Sequence, residues 1–247
     1  MLAEIEASRR KGAGRMTVAH RWSRLVWLAS FVLMAIPATT TPQEQSVKPG
    51  INDRWADPNL DSILSLLERE DRAIYKYRHA IVAALGLEPG MDVADVGSGT
   101  GFITLLMARE VGPDGKVYAE DIAQPPLDFI AKRATEQGLS NLETVLGTHR
   151  STNLEPASVD LLLACDAYHH FEYPEDMLAS IRQALRREGR LVIIDFERVK
   201  GATDDFFMEH VRAGKGTFTD ELRDAGFDLE KEIPLMKDQY FLVFRKR

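Results

Sequence analysis

Hydrophobic and polar positions change their period several times along this chain. Helical spacing joins the apolar residues at positions 60, 63, 64 and 67, and again those at positions 74, 77, 81 and 85. Shorter apolar or alternating runs indicate seven strands. We predict these strands over residues 91–96, 116–121, 142–146, 159–165, 190–196, 227–233 and 239–245.

Helical patterns also lie between and after these strands. They cover residues 102–111, 127–134, 177–185, 206–211 and, with a threonine cap, 219–225. Strands that alternate with helices predict an α/β fold with a doubly wound, mostly parallel sheet. Ligands of such sheets bind at the carboxyl ends of the strands, near the switch in strand order. A functional site is therefore expected at that edge.

Residues 1–48 differ from the rest of the chain in charge and hydropathy. They carry seven Lys or Arg against three Glu, a net charge of +4, whereas residues 49–247 have a net charge of −11. The apolar segment LVWLASFVLMAI opens an uncharged run over residues 25–43. A basic flank before a short apolar run is typical of a secretory signal, and the whole uncharged run approaches the length of a membrane span.

These features divide the chain into three parts. We predict a signal peptide or N-terminal membrane anchor over residues 1–38, a polar linker over residues 39–56 and one folded domain over residues 57–247. A cleaved signal implies an exported or periplasmic domain. A retained anchor implies membrane association through residues 25–43, with the domain on either face, the cytoplasmic face included.

Composition narrows the class of the folded domain. Apolar residues make up 45% of the chain and charged residues 28%, which is typical of a globular protein. The single cysteine, Cys165, excludes an internal disulfide. The acidic balance and the lack of a basic stripe with interleaved aromatic residues disfavour nucleic acid and favour a small-molecule partner.

A glycine-rich loop follows the first predicted strand. The segment Asp95-Val96-Gly97-Ser98-Gly99-Thr100-Gly101 lets the backbone turn sharply and approach a ligand, and Asp121 closes the second strand further along the chain. A carboxylate there can accept hydrogen bonds from both ribose hydroxyls, so the pair indicates an adenosine-containing cofactor. The third glycine comes one residue too early for the G-x-G-x-x-G pattern of dinucleotide dehydrogenases.

The D-x-G-x-G-x-G strand exit resembles that of class I S-adenosylmethionine-dependent methyltransferases. VADVGSGTGFIT, GKVYAEDI, SVDLLLACDAYHHF and REGRLVIIDF stand where this family has its motifs, and the resemblance covers roughly residues 72–196. It is closest to the small-molecule branch that includes the ubiquinone/menaquinone-biosynthesis methyltransferases. The resemblance implies a seven-stranded Rossmann-like sheet with an N-terminal helical lid (residues 57–88), and S-adenosylmethionine as cofactor.

The resemblance also assigns cofactor contacts. Gly97, Ser98 and Gly99 would lie against the methionine part, Asp95 would hold its amino group, and Gly101 would open the next helix. Asp121 would bind the ribose, Ile122 would pack on the adenine, and Thr148 stands where the family often has an aspartate for the adenine amine. Glu120 precedes the strand end, so we expect it to point to the opposite face, at the surface.

Residues after the fourth strand are the candidates for catalysis. The resemblance places Asp166 to His169 between cofactor and acceptor, which makes His169 or Asp166 the candidate base and Tyr168 a residue that orients the substrate. Asp166 would then also contact the cofactor. His170 either contributes to the substrate site or fills a polar niche. We predict no metal site from Asp166, His169 and His170, because neighbours on an extended strand point apart.

Two further groups flank this region. Tyr75, Tyr77 and Arg78 are assigned to the lid, with a core position as the alternative for Tyr77. Phe206, Phe207 and His210 either complete the pocket or form a hydrophobic helix face.

The resemblance therefore implies methyl transfer to a small-molecule acceptor by in-line displacement. A lipophilic acceptor is favoured, such as a quinone precursor or a thiol, because an enzyme near the membrane meets such molecules. Two alternatives remain at this point, an NAD-type dehydrogenase and a non-catalytic envelope protein that binds an adenosine cofactor. Nothing in the sequence indicates the oligomeric state.

Overall fold

A computed structural model describes residues 42–247. Its central feature is one seven-stranded sheet in the order β3-β2-β1-β4-β5-β7-β6. The strands are β1 (Asp92–Val96), β2 (Lys116–Asp121), β3 (Leu142–Leu146), β4 (Val159–Cys165), β5 (Leu185–Phe196), β6 (Phe227–Glu232) and β7 (Gln239–Lys246). Strands β1 to β5 run parallel, and β7 pairs antiparallel with both β5 and β6. The predicted doubly wound, mostly parallel sheet is confirmed.

Helices precede the sheet and cover both of its faces. They are α1 (Asp53–Ala56), α2 (Leu60–Leu67), α3 (Ala73–Lys76), α4 (Arg78–Leu85), α5 (Thr104–Val111), α6 (Gln124–Glu136), α7 (Pro174–Ala184), α8 (Asp205–His210) and α9 (Lys215–Asp224). A short 3-10 helix, Tyr168–His170, follows β4. Buried residues form one hydrophobic cluster on each face of the sheet, as the alternating side chains of buried strands require.

The strand order switches between β1 and β4. From β1 the chain adds β2 and β3 on one side, then crosses over to place β4 on the other side of β1. The loops that leave the carboxyl ends of β1 and β4 therefore diverge and leave a crevice, which is where open α/β sheets bind ligands.

Three local expectations need correction. The apolar pattern of residues 74–85 forms two helices with Tyr77 between them, and Tyr77 is 38% exposed, so the core position that was its alternative to the lid is wrong. Thr219 does not cap a helix, because α9 begins at Lys215 and the Thr219 hydroxyl donates to the Lys215 carbonyl. Strand β5 begins at Leu185 rather than at residue 190, directly after α7.

The described part of the predicted linker packs against the folded domain. The backbone N–H of Val47 donates to the carbonyl of Glu172, and the Lys48 ammonium donates to the carbonyl of His210. Residues 53–56 form α1. Residues 42–56 of the predicted linker therefore include a short helix and are hydrogen-bonded to the domain.

The predicted signal or anchor over residues 1–38 lies outside the described residues. Within residues 42–247, none of the helices has the length and apolar character that crossing a membrane requires.

Candidate active site

Two adjoining cavities open at the carboxyl ends of β1 and β4. The glycine-loop cavity is bounded by residues 95–99 at the end of β1, by Asp121 and Ile122 at the end of β2, and by Thr148 after β3. The histidine cavity, of about 650 Å³, contains His169, His170 and His210 together with Phe196, Phe206 and Phe207. Both cavities are lined by Trp55, Leu67, Arg72, Asp166 and His170, so these five residues form a shared wall.

The glycine loop includes two positions with left-handed backbone conformation where a Cβ would meet a close neighbour. Gly97 has a φ of +71°, and a Cβ on it would lie 2.7 Å from the Ala167 Cβ. Gly99 has a φ of +54°, and a Cβ there would lie 2.9 Å from Leu67 Cδ1. Both values are below any normal contact distance. Glycine therefore permits the turn and keeps the loop close to the shared wall.

Hydrogen bonds to carboxylate side chains hold this loop in place. The Gly99 N–H donates to Asp121 Oδ2 at 3.0 Å, and the Ala123 N–H donates to Asp121 Oδ1 at 3.1 Å. Asp95 is buried and accepts a hydrogen bond from the Thr104 hydroxyl at 2.6 Å. Burial raises the pKa of Asp95 to about 6, and burial also raises the pKa of Asp121.

Glu120 is not the surface residue that its strand position suggested. It is 1% exposed, and its Oε2 accepts a hydrogen bond from the Gly97 N–H at 3.3 Å. Gly147 leaves the space for this carboxyl group, because a Cβ on Gly147 would overlap the Glu120 carboxylate. Burial raises the pKa of Glu120 well above its usual value, and the nearby Asp121 adds to this effect.

Polar atoms around the glycine loop fit an adenosine-type cofactor. The buried Ser98 Oγ, Thr100 Oγ1 and Glu120 Oε1 have no hydrogen-bond partner among the described residues. Unpaired buried polar atoms are rare in proteins, and the Ser98 and Glu120 side chains line the cavity. A loop without Cβ atoms, beside Asp121, offers both the close backbone approach and the acceptors that such a cofactor needs.

Three other predicted cofactor residues have distinct positions. Ile122 and Thr148 line the glycine-loop cavity, although the Thr148 hydroxyl also accepts from the backbone of its own turn. Gly101 does not line it, and a Cβ there would contact Ile130. Helix α5 begins at Thr104, but the Gly101 carbonyl accepts the first helix-type hydrogen bond from Leu105. Gly101 therefore shapes the entry to the helix rather than the cavity.

Asp166 occupies the shared wall between the cavities. Its φ of +51° turns the chain sharply after β4. Its carboxylate pairs with the Arg72 guanidinium at 2.6 Å and accepts from Gln239 Nε2 at 2.7 Å. Burial raises the pKa of Asp166, while the charge of Arg72 opposes that rise. Both carboxylate oxygens thus already accept hydrogen bonds, which disfavours Asp166 as the base.

Tyr168 does not reach either cavity. Its ring is fully buried in the hydrophobic cluster and packs edge-on against Phe218, while its hydroxyl donates to Glu221 Oε2 at 2.8 Å. The structure therefore does not bring Tyr168 to the substrate. The assignment fails because the chain forms a 3-10 helix here, which turns Tyr168 into the core while His169 and His170 face the cavity.

The same 3-10 helix overturns the reason for expecting no metal site. That reason assumed an extended strand, whereas the rings of His169 and His170 lie with centroids 4.2 Å apart. His210, at the end of α8, joins them with centroid distances of 5.1 Å to each. Burial, followed by the neighbouring His169, lowers the pKa of His170 to about 2 and that of His210 to about 4.

Phe206, Phe207 and His210 all line the histidine cavity, so the pocket interpretation of this segment is the one the geometry supports. The predicted lid residues behave differently. Tyr75, Tyr77 and Arg78 line neither cavity; Tyr75 instead packs on Phe102 at 5.2 Å between ring centroids.

Other residues cover the cavities from the N-terminal side, among them Asn52, Trp55, Leu67 and Arg72. Leu67 and Arg72 lie within the predicted helical lid over residues 57–88, although they are not the lid residues that the sequence singles out. Asn52 and Trp55 lie within the predicted linker, and sequence reasoning misses them. An isolated tryptophan in a polar segment was the one signal that could have revealed this contact.

The fold and site together define an α/β protein of the kind that binds an adenosine-type cofactor at its first strands. Comparison with known protein families identifies the family to which the chain belongs. A methyltransferase domain family matches residues 87–230, more than half of the chain, and the chain belongs to this family.

Individual relatives agree with this assignment. The chain is 33% identical over 194 residues to a 37.1 kDa protein in transposon TN4556 from Streptomyces fradiae, covering 73% of this chain and 55% of that one. It is 27% identical to a ubiquinone/menaquinone biosynthesis C-methyltransferase from Hydrogenovibrio crunogenus, covering 64% and 62%. The chain thus spans about half the length of the curated relatives it matches.

A solved structure shows the same fold. The crystal structure of an S-adenosylmethionine-dependent methyltransferase from Aquifex aeolicus superimposes with a TM-score of 0.68 at 22% identity, covering 77% of this chain and all of that one. The matches support a methyltransferase and give no support to the dehydrogenase or the non-catalytic alternative.

Proposed function

We propose that this protein transfers a methyl group from S-adenosylmethionine to a small-molecule acceptor. The observation that carries the proposal is the pair of adjoining cavities, one suited to the cofactor and one to the acceptor, with a shared wall of five side chains. In-line displacement needs the two reactants on opposite sides of one reacting carbon, which such a pair provides.

The glycine-loop cavity is the proposed cofactor site. Gly97, Ser98 and Gly99 would hold the methionine part, Asp121 would accept from the ribose hydroxyls and Ile122 would pack on the adenine. Bound S-adenosylmethionine supplies a methyl carbon made electrophilic by its sulfonium sulfur. Asp95 accepts a hydrogen bond from the Thr104 hydroxyl. Its carboxylate would attract the positively charged amino group of the cofactor.

The histidine cavity is the proposed acceptor site. Phe196 and Phe207 stack at 4.1 Å between ring centroids, and Phe206 lies edge-on to Phe207 at 5.2 Å, which favours a flat or lipophilic acceptor. Relatives named for ubiquinone and menaquinone biosynthesis support that chemical class. An aromatic lining that excludes water would protect the sulfonium from hydrolysis.

His169 is the proposed proton acceptor for an acceptor that carries a proton. Its Nδ1 lies 2.8 Å from Asp195 Oδ1, and its backbone N–H donates to Asp195 Oδ2 at 3.0 Å. A carboxylate at Nδ1 fixes the proton on that nitrogen and leaves Nε2 as the base. His169 is therefore favoured over Asp166, whose oxygens are already engaged by Arg72 and Gln239.

Calorimetric titration of the full chain with S-adenosylmethionine tests the cofactor site. Asp121→Asn removes the charge from the proposed ribose acceptor, and we expect affinity to fall about 10- to 100-fold, because hydrogen bonds to a charged group contribute about 1.5–3 kcal/mol. Asp114→Asn, in an exposed turn away from both cavities, is the matched control and should bind like the wild type. No binding by the wild type, or equal binding by Asp121→Asn, would contradict the proposal.

We also propose that residues 1–38 target the protein to a membrane or export it. The support is the +4 charge of residues 1–48 and the apolar run that follows the basic flank. Fractionation of a C-terminally tagged full chain, with N-terminal sequencing of the product, tests this. A full-length protein found only in the soluble cytosolic fraction would contradict it.

A further inference from the structure

Three histidines from two separate segments converge on one point of the histidine cavity. His169 and His170 come from the 3-10 helix after β4, and His210 comes from the last turn of α8. Each ring offers one nitrogen, and these three nitrogens all lie within 4.8 Å of one another. No acidic side chain is needed to complete this group, which sets it apart from the carboxylate clusters common on protein surfaces.

Contacts to Nδ1 orient two of the three imidazole rings. Asp195 engages Nδ1 of His169 at 2.8 Å, and the Asn52 Oδ1 engages Nδ1 of His170 at 3.1 Å. Among the described residues no hydrogen bond uses Nε2 of either ring. Histidine ligands of metals typically donate the N–H of their other nitrogen to a carboxylate or an amide oxygen in this way, which orients the ring and fixes the tautomer.

We propose that His169, His170 and His210 bind one divalent transition-metal cation, zinc in the first place, through their ring nitrogens. Three imidazoles with a fourth position open to a cavity are the ligand set of catalytic zinc sites. Tetrahedral zinc, with Zn–N distances of about 2.0–2.1 Å, needs ligand nitrogens about 3.3 Å apart. The largest separation would have to close by about 1.5 Å, which a shift of the His210 ring at the end of α8 would have to supply.

The charges near the cluster are mixed. Asp195 lies directly behind His169, and Asp166 lines the same cavity, whereas Lys48 and Arg54 lie on the N-terminal side. The Lys48 ammonium donates to the carbonyls of Glu209 and His210, both at 2.6 Å. The lining of the histidine cavity has four acidic and four basic side chains, so its formal charge neither favours nor opposes a cation; they are Asp71, Asp166, Asp204, Asp238, Arg54, Arg69, Arg72 and Lys237.

The role of such a cation rests on the proposed function. A hydroxyl or thiol of the acceptor that coordinates at the open position would release its proton to water, and its oxygen or sulfur would remain negative beside the shared wall. His169 would then hold the cation instead of accepting the proton. The preferred acceptors would be molecules with an acidic O–H or S–H group.

Metal binding by the full chain tests the inference. The protein is stripped with a chelator and titrated with zinc ions against a chromophoric competitor, and cobalt substitution reports the coordination by its visible absorption. We expect one zinc ion per chain, with affinity at least tenfold lower in His210→Ala. His79→Ala, an exposed histidine that lines neither cavity, is the matched control and should bind like the wild type.

A second variant tests the group that supports one of the ligands. Asn52→Ala leaves all three ligands in place, and loss of such a supporting group typically lowers metal affinity about 10- to 100-fold. No zinc binding by the wild type, or equal binding by His210→Ala and the wild type, would overturn the inference. Titration of the metal-free chain with S-adenosylmethionine separates the two proposals, since cofactor binding without zinc binding leaves the proposed function intact.

Discussion

The two cavities of this protein are built in different ways. In the glycine-loop cavity, the residues assigned to the cofactor lie mainly in two short contiguous segments, residues 95–99 and 120–122, and side chains from other segments complete the lining. The histidine cavity is lined by side chains of six separate segments, represented by Trp55, Leu67, His169, Phe196, His210 and Gln239. A site of the first kind leaves a local pattern in the sequence, and a site of the second kind leaves none. The cofactor can therefore be inferred from a motif, but the acceptor cannot.

The largest effect that separates the two cavities is expected at Gly97. Gly97→Ala places a Cβ 2.7 Å from the Ala167 Cβ, so the loop must move away from Ala167. We expect cofactor affinity to fall at least about 100-fold, and the free energy of unfolding to fall by about 1–3 kcal/mol, as overpacking does elsewhere. Calorimetry with S-adenosylmethionine and chemical unfolding of the same samples measure both.

Gly138→Ala is the control for that substitution. Gly138 has a similar φ of +69°, but a Cβ there would have no neighbour within 4 Å. Its strain of about 1 kcal/mol should therefore lower stability without changing cofactor affinity. If both variants lost cofactor affinity equally, strain in the left-handed backbone, rather than the close approach to Ala167, would explain why the loop requires glycine.

The second effect concerns the buried carboxyl of Asp95 and depends on pH. Burial raises the pKa of Asp95 from 3.8 to about 6, so the folded state favours the neutral form. The resulting stabilisation is fully present below pH 3.8 and is lost as pH rises through 6. Between about pH 4 and pH 7 the wild type should lose about 2–3 kcal/mol of unfolding free energy that Asp95→Asn retains, since one pKa unit corresponds to about 1.4 kcal/mol.

Chemical unfolding of both chains over this pH range, without cofactor, measures that difference. The amide oxygen of the Asp95→Asn variant can still accept the Thr104 hydrogen bond, so the comparison isolates the charge. Asp114→Asn should follow the wild-type pH dependence, because its side chain is exposed. Parallel curves for the wild type and Asp95→Asn would show that Asp95 is no more difficult to ionise when folded than when unfolded.

The contrast between the cavities also explains how far sequence reasoning reached. Apolar periodicity and the glycine loop were sufficient for the sheet, the strand ends and the position of Asp121, because each depends on residues close in sequence. Glu120 was misjudged, because its burial depends on the space left by Gly147 in another loop. The grouping of His169 with His210 was beyond reach, since only the folded chain brings α8 to the end of β4.

Tyr168 is where the family resemblance placed a residue on the wrong side of the chain, and it carries the smallest expected effect. Tyr168→Phe keeps the ring against Phe218 and removes only the hydroxyl that donates to Glu221. We expect a loss of about 1 kcal/mol in unfolding free energy, because one hydrogen bond is lost and the Glu221 carboxylate keeps its pairing with Arg212. Cofactor and zinc affinities should not change, because the ring reaches neither cavity.

Phe171→Leu, in the same cluster but lining the glycine-loop cavity, serves as the comparison and should alter cofactor affinity. A change in cofactor affinity for Tyr168→Phe as large as that for Phe171→Leu would contradict the conclusion that Tyr168 has no part in the site.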